Sequence, residues 1–352
     1  MPAACPCADH DQRLRGAVAG PVRAVRLDAP RDLAGRKAQS VPARLRTMRN
    51  PEWVAKALRP LLVLALCLGS LLASAQAPPR TPSSMLRERF LAVSQRAVDH
   101  PFREPVYLKS SQASGRLQGE IYAMVGHPFD KVRQAVATSD NWCRILILHL
   151  NVKYCRASNL GARQVLDVGI GRKFDQPLAD AHWARFHFRS TATGNDHLAL
   201  ELQAPTGPMG TRDYRIVVEA APLDAGRSVV HMTYSYAYNA TARWAMQAYL
   251  ATLGNDKVGF SVVGRERNGR PKRVGGVLGI VERNTMRYYL AIEAYLGAHG
   301  LPPAQQLRKS LEDWFSATER YPLQLHEVER SAYLEMKLRE VQRQQSEPPH
   351  RD

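Results

Sequence analysis

Two spacings of apolar residues divide this chain. Between residues 117 and 238 apolar side chains recur at every second position in short runs, which predicts half-buried β-strands. The runs fall at 117–125, 151–157, 162–170, 182–190, 196–204, 212–221 and 227–238. Gly171, Gly194-Asn195, Gly207, Gly210 and the stretch from Asp224 to Gly226 supply the turns between them. Around this block the spacing changes to three and four. Helices are predicted at 84–98, 129–137, 141–148, 241–253 and 281–296, the last with Val281, Tyr288, Ile292 and Tyr295 on one stripe. A hairpin insert is expected near 255–280, with arms at 259–264 and 273–278 turning at Asn268-Gly269.

Consecutive strands joined by short turns imply an antiparallel sheet, and helices gathered at the ends make the class α+β. The simplest way to bury both apolar faces is a curved sheet of about six to seven strands around the long C-terminal helix. Beyond residue 301 a helical extension follows. Leu307, Leu311, Trp314 and Phe315 mark one helix, and a charge-laced helix at 325–341 carries Val328, Tyr333, Met336 and Leu338. These helices either pack on the back of the domain or offer a hairpin to a partner. Residues 344–352 are expected to fray.

The first 75 residues read differently. All 13 Tyr, all 8 Phe and four of the 5 Trp come after them, and residues 1–47 hold no aromatic side chain at all. Such a stretch buries too little apolar surface to offset chain entropy, so 1–47 is expected to be disordered or a mis-assigned extension upstream of Met48. Arg49, Lys56 and Arg59 then precede the apolar run 61–72, and Ala73-Ser74-Ala75 offers a small-x-small cleavage site after Ala75. This is the pattern of a secretory signal peptide, 48–75, and it implies a periplasmic or secreted protein. Residues 76–116 read as a lead-in helix and linker.

Export changes the meaning of the charge. The formal net charge is +17, which first suggests nucleic acid. Residues 1–47 carry nine Lys/Arg against four Asp/Glu and residues 48–75 three against one, leaving +10 for the remainder. An exported domain does not meet chromosomal DNA, so no nucleic-acid partner is expected. An anionic membrane surface is the more plausible basic-patch partner. The densest cluster, Arg265, Arg267, Arg270, Lys272 and Arg273 in the insert, is the candidate for it, against the plainer reading of a solvated loop. Cys143 and Cys155 are the two cysteines left after residue 75; they form either a disulfide in an oxidising compartment or two buried thiols.

Two stretches resemble the START-like, or SRPBCC, helix-grip superfamily, the group of lipid-transfer START domains, polyketide cyclase-like proteins and plant pollen-allergen-like proteins. Glu120 to Val132, continuing to Asp140-Asn141-Trp142, is similar to the superfamily's opening strand, short helix and Trp-bearing turn. Thr211-Arg212-Asp213-Tyr214 is similar to the start of a late START strand. The resemblance covers roughly residues 117–296 within an expected domain of 117–300. It implies an elongated cavity between sheet and helix that holds a lipid or other hydrophobic small molecule. No cofactor is implied, and oligomeric state is left open.

Alternation then names candidate cavity residues. In 227–238 one face carries Val230, Met232, Tyr234, Tyr236 and Tyr238, and in 182–190 one face carries Ala184, Phe186 and Phe188. Tyr214, Ile216 and Val218 share a face, and Trp142, Trp244, Tyr288 and Ile292 come from helical stretches. Three tyrosines in one strand exceed what a dry core takes, since each buried hydroxyl needs a partner. A filled core without a cavity remains the alternative. Arg212 either pairs with Asp213 or meets a ligand's acidic group. Catalytic motifs (G-x-S-x-G, H-E-x-x-H, a Walker loop) are missing, and no His or Cys spacing fits a metal. A cyclase-like or hydrolytic enzyme using the same pocket, or an envelope interaction protein with a filled core, stays as an alternative to a carrier.

Overall fold

A computed structural model describes residues 80–95, 106–239 and 257–346. All of these residues fall in the second of two units, Ala77–Asp352. The expected extension, signal peptide, Ala75 cleavage site and helix 241–253 with Trp244 lie outside the described residues.

Eight strands form one antiparallel sheet. They are β1 (Val106–Ala113), β2 (Arg116–Val125), β3 (Val152–Leu160), β4 (Arg163–Ile170), β5 (His182–Thr193), β6 (Leu198–Thr206), β7 (Thr211–Pro222) and β8 (Ser228–Tyr238). Their order across the curved sheet is β1-β2-β8-β7-β6-β5-β4-β3, so the chain closes β8 back onto β2 and leaves β1 and β3 as edges. Helix α1 (Pro82–Ser94) precedes the sheet. The short helices α2 (Phe129–Val136) and α3 (Ser139–Leu146) bridge β2 to β3. The insert is a small hairpin, β9 (Val262–Arg265) and β10 (Pro271–Arg273), and the long helix α4 (Gly276–Ala298) follows. This is the helix-grip arrangement expected, with one strand more than the six to seven anticipated.

That strand is β1, which falls in the stretch read as a linker. Its buried positions are Val106 and Leu108, and the rest of it is partly or fully exposed, as suits an edge strand. The alternation therefore fades after two turns of the pleat and gives little signal. The sheet domain begins at 106, not 117. The second hairpin arm is also shorter than expected, because 276–278 already belongs to α4.

Local chemistry accounts for the helix boundaries. Thr81 caps α1, accepting from the Ser84 N–H at 3.1 Å while the Ser84 hydroxyl receives the Thr81 N–H at 3.0 Å. Thr138 caps α3 by accepting from the Asn141 N–H at 3.2 Å. Trp142, fully buried, ties α3 to α2 by donating Nε1–H to the Val136 carbonyl at 2.8 Å.

The faces assigned by alternation hold. Val230, Met232, Tyr234 and Tyr236 join Phe186, Phe188, Leu200 and Ile216 in the main core, on the side that α4 covers. From α4, Val281, Met286, Tyr289, Ile292 and Leu296 are each no more than 1% exposed. Burying a side chain of this size contributes about 1.5–3 kcal/mol. Close approach of α4 depends on Gly119, where a Cβ would lie 2.0 Å from Thr285 Oγ1 and 3.3 Å from the Val281 carbonyl. The opposite face of the sheet has a smaller core, where Leu86 and Phe90 of α1 cover Tyr122, Ala221 and Val229.

The tail packs onto the domain along α4 and the β3 edge rather than on the sheet's back. Helix α5 (Pro303–Thr318) lies against α4, with Trp314 donating to the Arg287 carbonyl at 3.0 Å. After the single turn α6 (Pro322–Leu325) comes α7 (Arg330–Ser346), which carries helix through 344–346 where fraying was expected. Its charges are not all solvated. Lys337 and Glu340 are fully buried with Lys153 of β3, whereas Leu338, expected on the apolar stripe, is 44% exposed. Cys143 and Cys155 are joined as a disulfide with Cα atoms 5.1 Å apart, linking α3 to β3.

Candidate functional site

A cavity of about 600 Å³ lies between α4 and the strands it covers. One wall is aromatic. Phe186 of β5 meets Tyr214 of β7 edge-to-face with centroids 6.4 Å apart, and Tyr214 stacks on Tyr236 of β8 at 5.2 Å. Tyr234 touches both Tyr214 and Tyr288 of α4, at 6.2 and 5.2 Å. Tyr288 in turn stacks on His149 at 4.7 Å. These spacings are those of favourable offset and edge contacts, so the wall is a continuous aromatic chain running from the sheet to the loop after α3. Burial pushes all four phenols up, Tyr214 to about 12 and the others further, so each hydroxyl stays protonated and can donate. Tyr214 shares a hydrogen bond with Thr211 Oγ1 at 2.8 Å.

The other end is polar and basic. Helix α4 turns one stripe, Ile280, Arg283, Asn284, Arg287 and Tyr288, into the cavity at spacings of three and four. Arg283 and Arg287 are each 2% exposed. Arg283 donates to the Lys257 and Val258 carbonyls at 3.2 and 3.3 Å, and Arg287 pairs with Glu327 at 2.7 Å. Lys173, also on the lining, reaches the same Glu327 oxygen at 2.7 Å.

His149 sits where the two ends meet, 2% exposed. Its Nδ1 accepts the Asn151 backbone N–H at 3.1 Å, which places the proton on Nε2. Burial holds its pKa well below the usual histidine range, reinforced by Arg287, Lys337, Lys173 and Lys153, so the imidazole is neutral. The tail fixes this segment. Tyr333 donates to the Leu148 carbonyl at 2.9 Å, and Lys337 Nζ donates to the carbonyls of His149 and Val152 at 3.1 and 2.7 Å.

Of the candidate cavity residues, Phe186, Tyr214, Tyr234, Tyr236 and Tyr288 line this space. Trp142, Phe188, Met232 and Ile292 are buried in the core but do not line it. Tyr238 is only half-buried at the end of β8, where its hydroxyl accepts from Gln112. Arg212 points the other way. Strict alternation from Tyr214 would turn it inward, but a bulge between Arg212 and Arg215 breaks the register, with Asp213 at φ 52°. Two residues then face outward together, and Arg212 pairs with Asp213 at 3.5 Å. His149, Gln176, Arg283, Asn284 and Arg287 were not anticipated. The stripe on α4 was the available signal, a polar row beside the apolar one.

The insert's Arg265, Arg267, Arg270 and Lys272 are exposed, next to Val262 and Val263 at 49% and 59% exposure. Arg273 instead turns in and donates to the Phe260 carbonyl at 2.8 Å. Among the described residues no group of three or more His, Cys, Asp or Glu is placed to hold a metal ion, and no helix is long and apolar enough to cross a membrane.

No family model matches the chain, and no curated protein matches it either. Among solved structures it is similar to norcoclaurine synthase from Thalictrum flavum in complex with dopamine and hydroxybenzaldehyde. That match has 12% identity, 42% of this chain and 82% of that one, and a TM-score of 0.28. It is also similar to Ara h 8.0201 (12% identity, 53% and 100%, TM-score 0.31) and to human StAR-related lipid transfer protein 5 (9%, 44% and 83%, TM-score 0.26). The helix-grip architecture itself follows from this chain's own strand order and the helix laid across it.

Proposed function

We propose that this protein is an exported carrier that binds one hydrophobic small molecule in the cavity between sheet and α4. The observation that carries the reading is the cavity itself: about 600 Å³, within the range of small-molecule sites, with an aromatic wall and a few polar groups at one end. A filled core would have closed it. The exposed valines and cations of the β9–β10 hairpin favour docking on an anionic membrane surface, from which such a ligand would be collected or delivered.

An enzyme in the same cavity is the second reading, and His149 is its best acid–base candidate. Its geometry favours binding. The neutral ring already spends Nδ1 on the Asn151 N–H, so it offers a donor to a bound molecule and no free base.

Two measurements test the carrier reading. Organic extraction of the purified full-length chain followed by mass spectrometry is expected to recover a hydrophobic compound near one per chain. The neutral fluorophore N-phenyl-1-naphthylamine is expected to bind at one site, and Ile216→Trp, which fills the cavity from β7, is expected to weaken it at least tenfold. No recovered compound together with no saturable probe binding would overturn the carrier reading. For the hairpin, flotation with phosphatidylglycerol vesicles should be lost on reversing Arg265, Arg267, Arg270 and Lys272 to Glu. Equal flotation with neutral phosphatidylcholine vesicles would count against it.

A further inference from the structure

Two buried side chains on the cavity lining each keep one donor with nothing to donate to. His149 and Gln176 are 2% and 7% exposed, and among the described residues neither His149 Nε2 nor Gln176 Nε2 has a hydrogen-bond partner. In each side chain the other polar atom is already taken by a backbone N–H. Asn151 donates to His149 Nδ1 at 3.1 Å, and Arg172 donates to Gln176 Oε1 at 2.6 Å. Those two bonds fix the ring tautomer and the amide orientation. Both open positions are therefore N–H groups, and neither is an acceptor.

The fold holds the two residues side by side. The Gly171 N–H donates to the Asn151 carbonyl at 2.7 Å, and the Asn151 side-chain amide donates to the Gly171 carbonyl at 2.6 Å. The Gln176 amide lies against Gly171, where a Cβ would come within 2.8 Å of its nitrogen. Helix α7 grips both residues from behind, Lys337 Nζ donating to the His149 carbonyl at 3.1 Å and Arg343 Nη1 to the Gln176 carbonyl at 2.9 Å. A buried donor left unmade costs its desolvation with no bond in return. Two of them, held this firmly at one end of an aromatic cavity, mark the place where a ligand completes them.

Resting on the carrier reading, we infer that the ligand is a neutral ketone or ester whose carbonyl oxygen accepts from His149 Nε2–H and Gln176 Nε2–H. Its apolar body lies along the wall from Tyr288 to Phe186. A carbonyl oxygen has two lone pairs and no hydrogen, which matches a pair that only donates. A ligand hydroxyl or amine would bring a proton to a place where both acceptors are spent. Nothing there calls for an anion, because the two donors are neutral and the cations on the lining are engaged. Arg283 donates to backbone carbonyls, Lys173 and Arg287 meet Glu327, and Arg172 lies over the Phe174 ring, 5.8 Å from its centroid. Burying a further charge costs far more than burying a neutral carbonyl.

Competitors that share one apolar body separate this inference from the carrier reading. On the full-length chain, N-phenyl-1-naphthylamine is displaced in turn by 2-acetylnaphthalene, 2-ethylnaphthalene, 1-(2-naphthyl)ethanol and 2-naphthoate. The ketone is expected to compete at least tenfold better than the hydrocarbon and at least threefold better than the alcohol or the carboxylate. In His149→Leu the ketone's advantage over the hydrocarbon should fall at least threefold, while the hydrocarbon and the fluorophore bind as before. Gln176→Leu should do the same, and it serves if the first variant does not fold. Equal competition by ketone and hydrocarbon, as when a water keeps the donors satisfied, would overturn the carbonyl assignment and leave the carrier reading standing. So would an alcohol or a carboxylate that matches the ketone, or a ketone advantage unchanged in both variants. Failure of the fluorophore to bind the cavity would instead remove both.

Discussion

Replacing Glu340 by glutamine probes the link between the tail and the site. Glu340 offers one oxygen to each of two lysines, Oε1 to Lys153 Nζ at 2.9 Å and Oε2 to Lys337 Nζ at 2.6 Å, and all three side chains are at most 1% exposed. Two positive charges already share one negative. Glu340→Gln leaves both uncompensated, and losing one partner of a buried ion pair costs about 3–5 kcal/mol. Proton release sets a ceiling: shedding a proton at pH 7 from an ordinary lysine near 10.4 costs roughly 5 kcal/mol. A loss of about 3–5 kcal/mol is a large fraction of the 5–15 kcal/mol typical of a folded domain. Urea unfolding at pH 7, read by the midpoint at unchanged slope, measures it.

The pH dependence gives a second handle on the same group. Burial holds Lys337 down at about 8 against 10.5 in the unfolded chain, Glu340 opposing the shift. Between those values the unfolded state binds more protons, so this group's contribution to stability rises with pH. In Glu340→Gln the folded value falls further and the rise should begin below pH 8, so raising the pH to 9 should recover part of the loss. A loss under about 1 kcal/mol at pH 7 would mean the ammonium groups reach water, and the argument from buried charge would be wrong.

Three further outcomes are expected. Gly119→Ala should cost about 1–3 kcal/mol by pushing a Cβ into Thr285, and adding Thr285→Ala should restore most of it; a thermal melt in which the double variant is no better would sink the close-approach account. Replacing Cys143 and Cys155 together by alanine should lower stability by about 2–4 kcal/mol, with dithiothreitol giving the same shift on the native chain and none on the variant. On the far face of the sheet, His231 lies between Glu120 and Glu219 at 3.0 and 2.9 Å, and the hydrogen bond to His231 is the main reason the Glu120 carboxyl is held at about 2. A lowered carboxyl stabilises above the unfolded value of 4.5 and loses that contribution as pH falls toward 2, so acid unfolding should be flatter over this window in His231→Gln; an identical slope would refute the pairing.

Much of the fold was legible because it rests on local periodicity. A period of two identifies both a strand and its buried face, and Tyr234, Tyr236, Phe186 and Ile216 could be placed on the α4 side from spacing alone. Tyr288 was legible for the corresponding reason in a helix. Spacing alone left Arg212 between its pair with Asp213 and a ligand because a bulge is a one-residue departure from that period, and Asp213 gives no sign of it without the partner strand; the structure forms the pair. The first strand was missed because an edge strand buries only two of its side chains toward the core.

What the sequence by itself determined is therefore the α+β class, the grip of a long helix by a sheet, and the aromatic wall of the cavity. Tertiary structure alone decided the cavity's polar end. His149 and Gln176 come from two separate segments and Arg283 and Arg287 from a helix over a hundred residues later, so no local window contains the site. The same reason hides Lys337 and Glu340. Charged residues on an amphipathic tail read as solvated surface, and their burial becomes tolerable only through Lys153 and the carbonyls of His149 and Val152, about 185 residues away. Periodicity reports which face a side chain takes; only the folded chain reports which distant charge waits there.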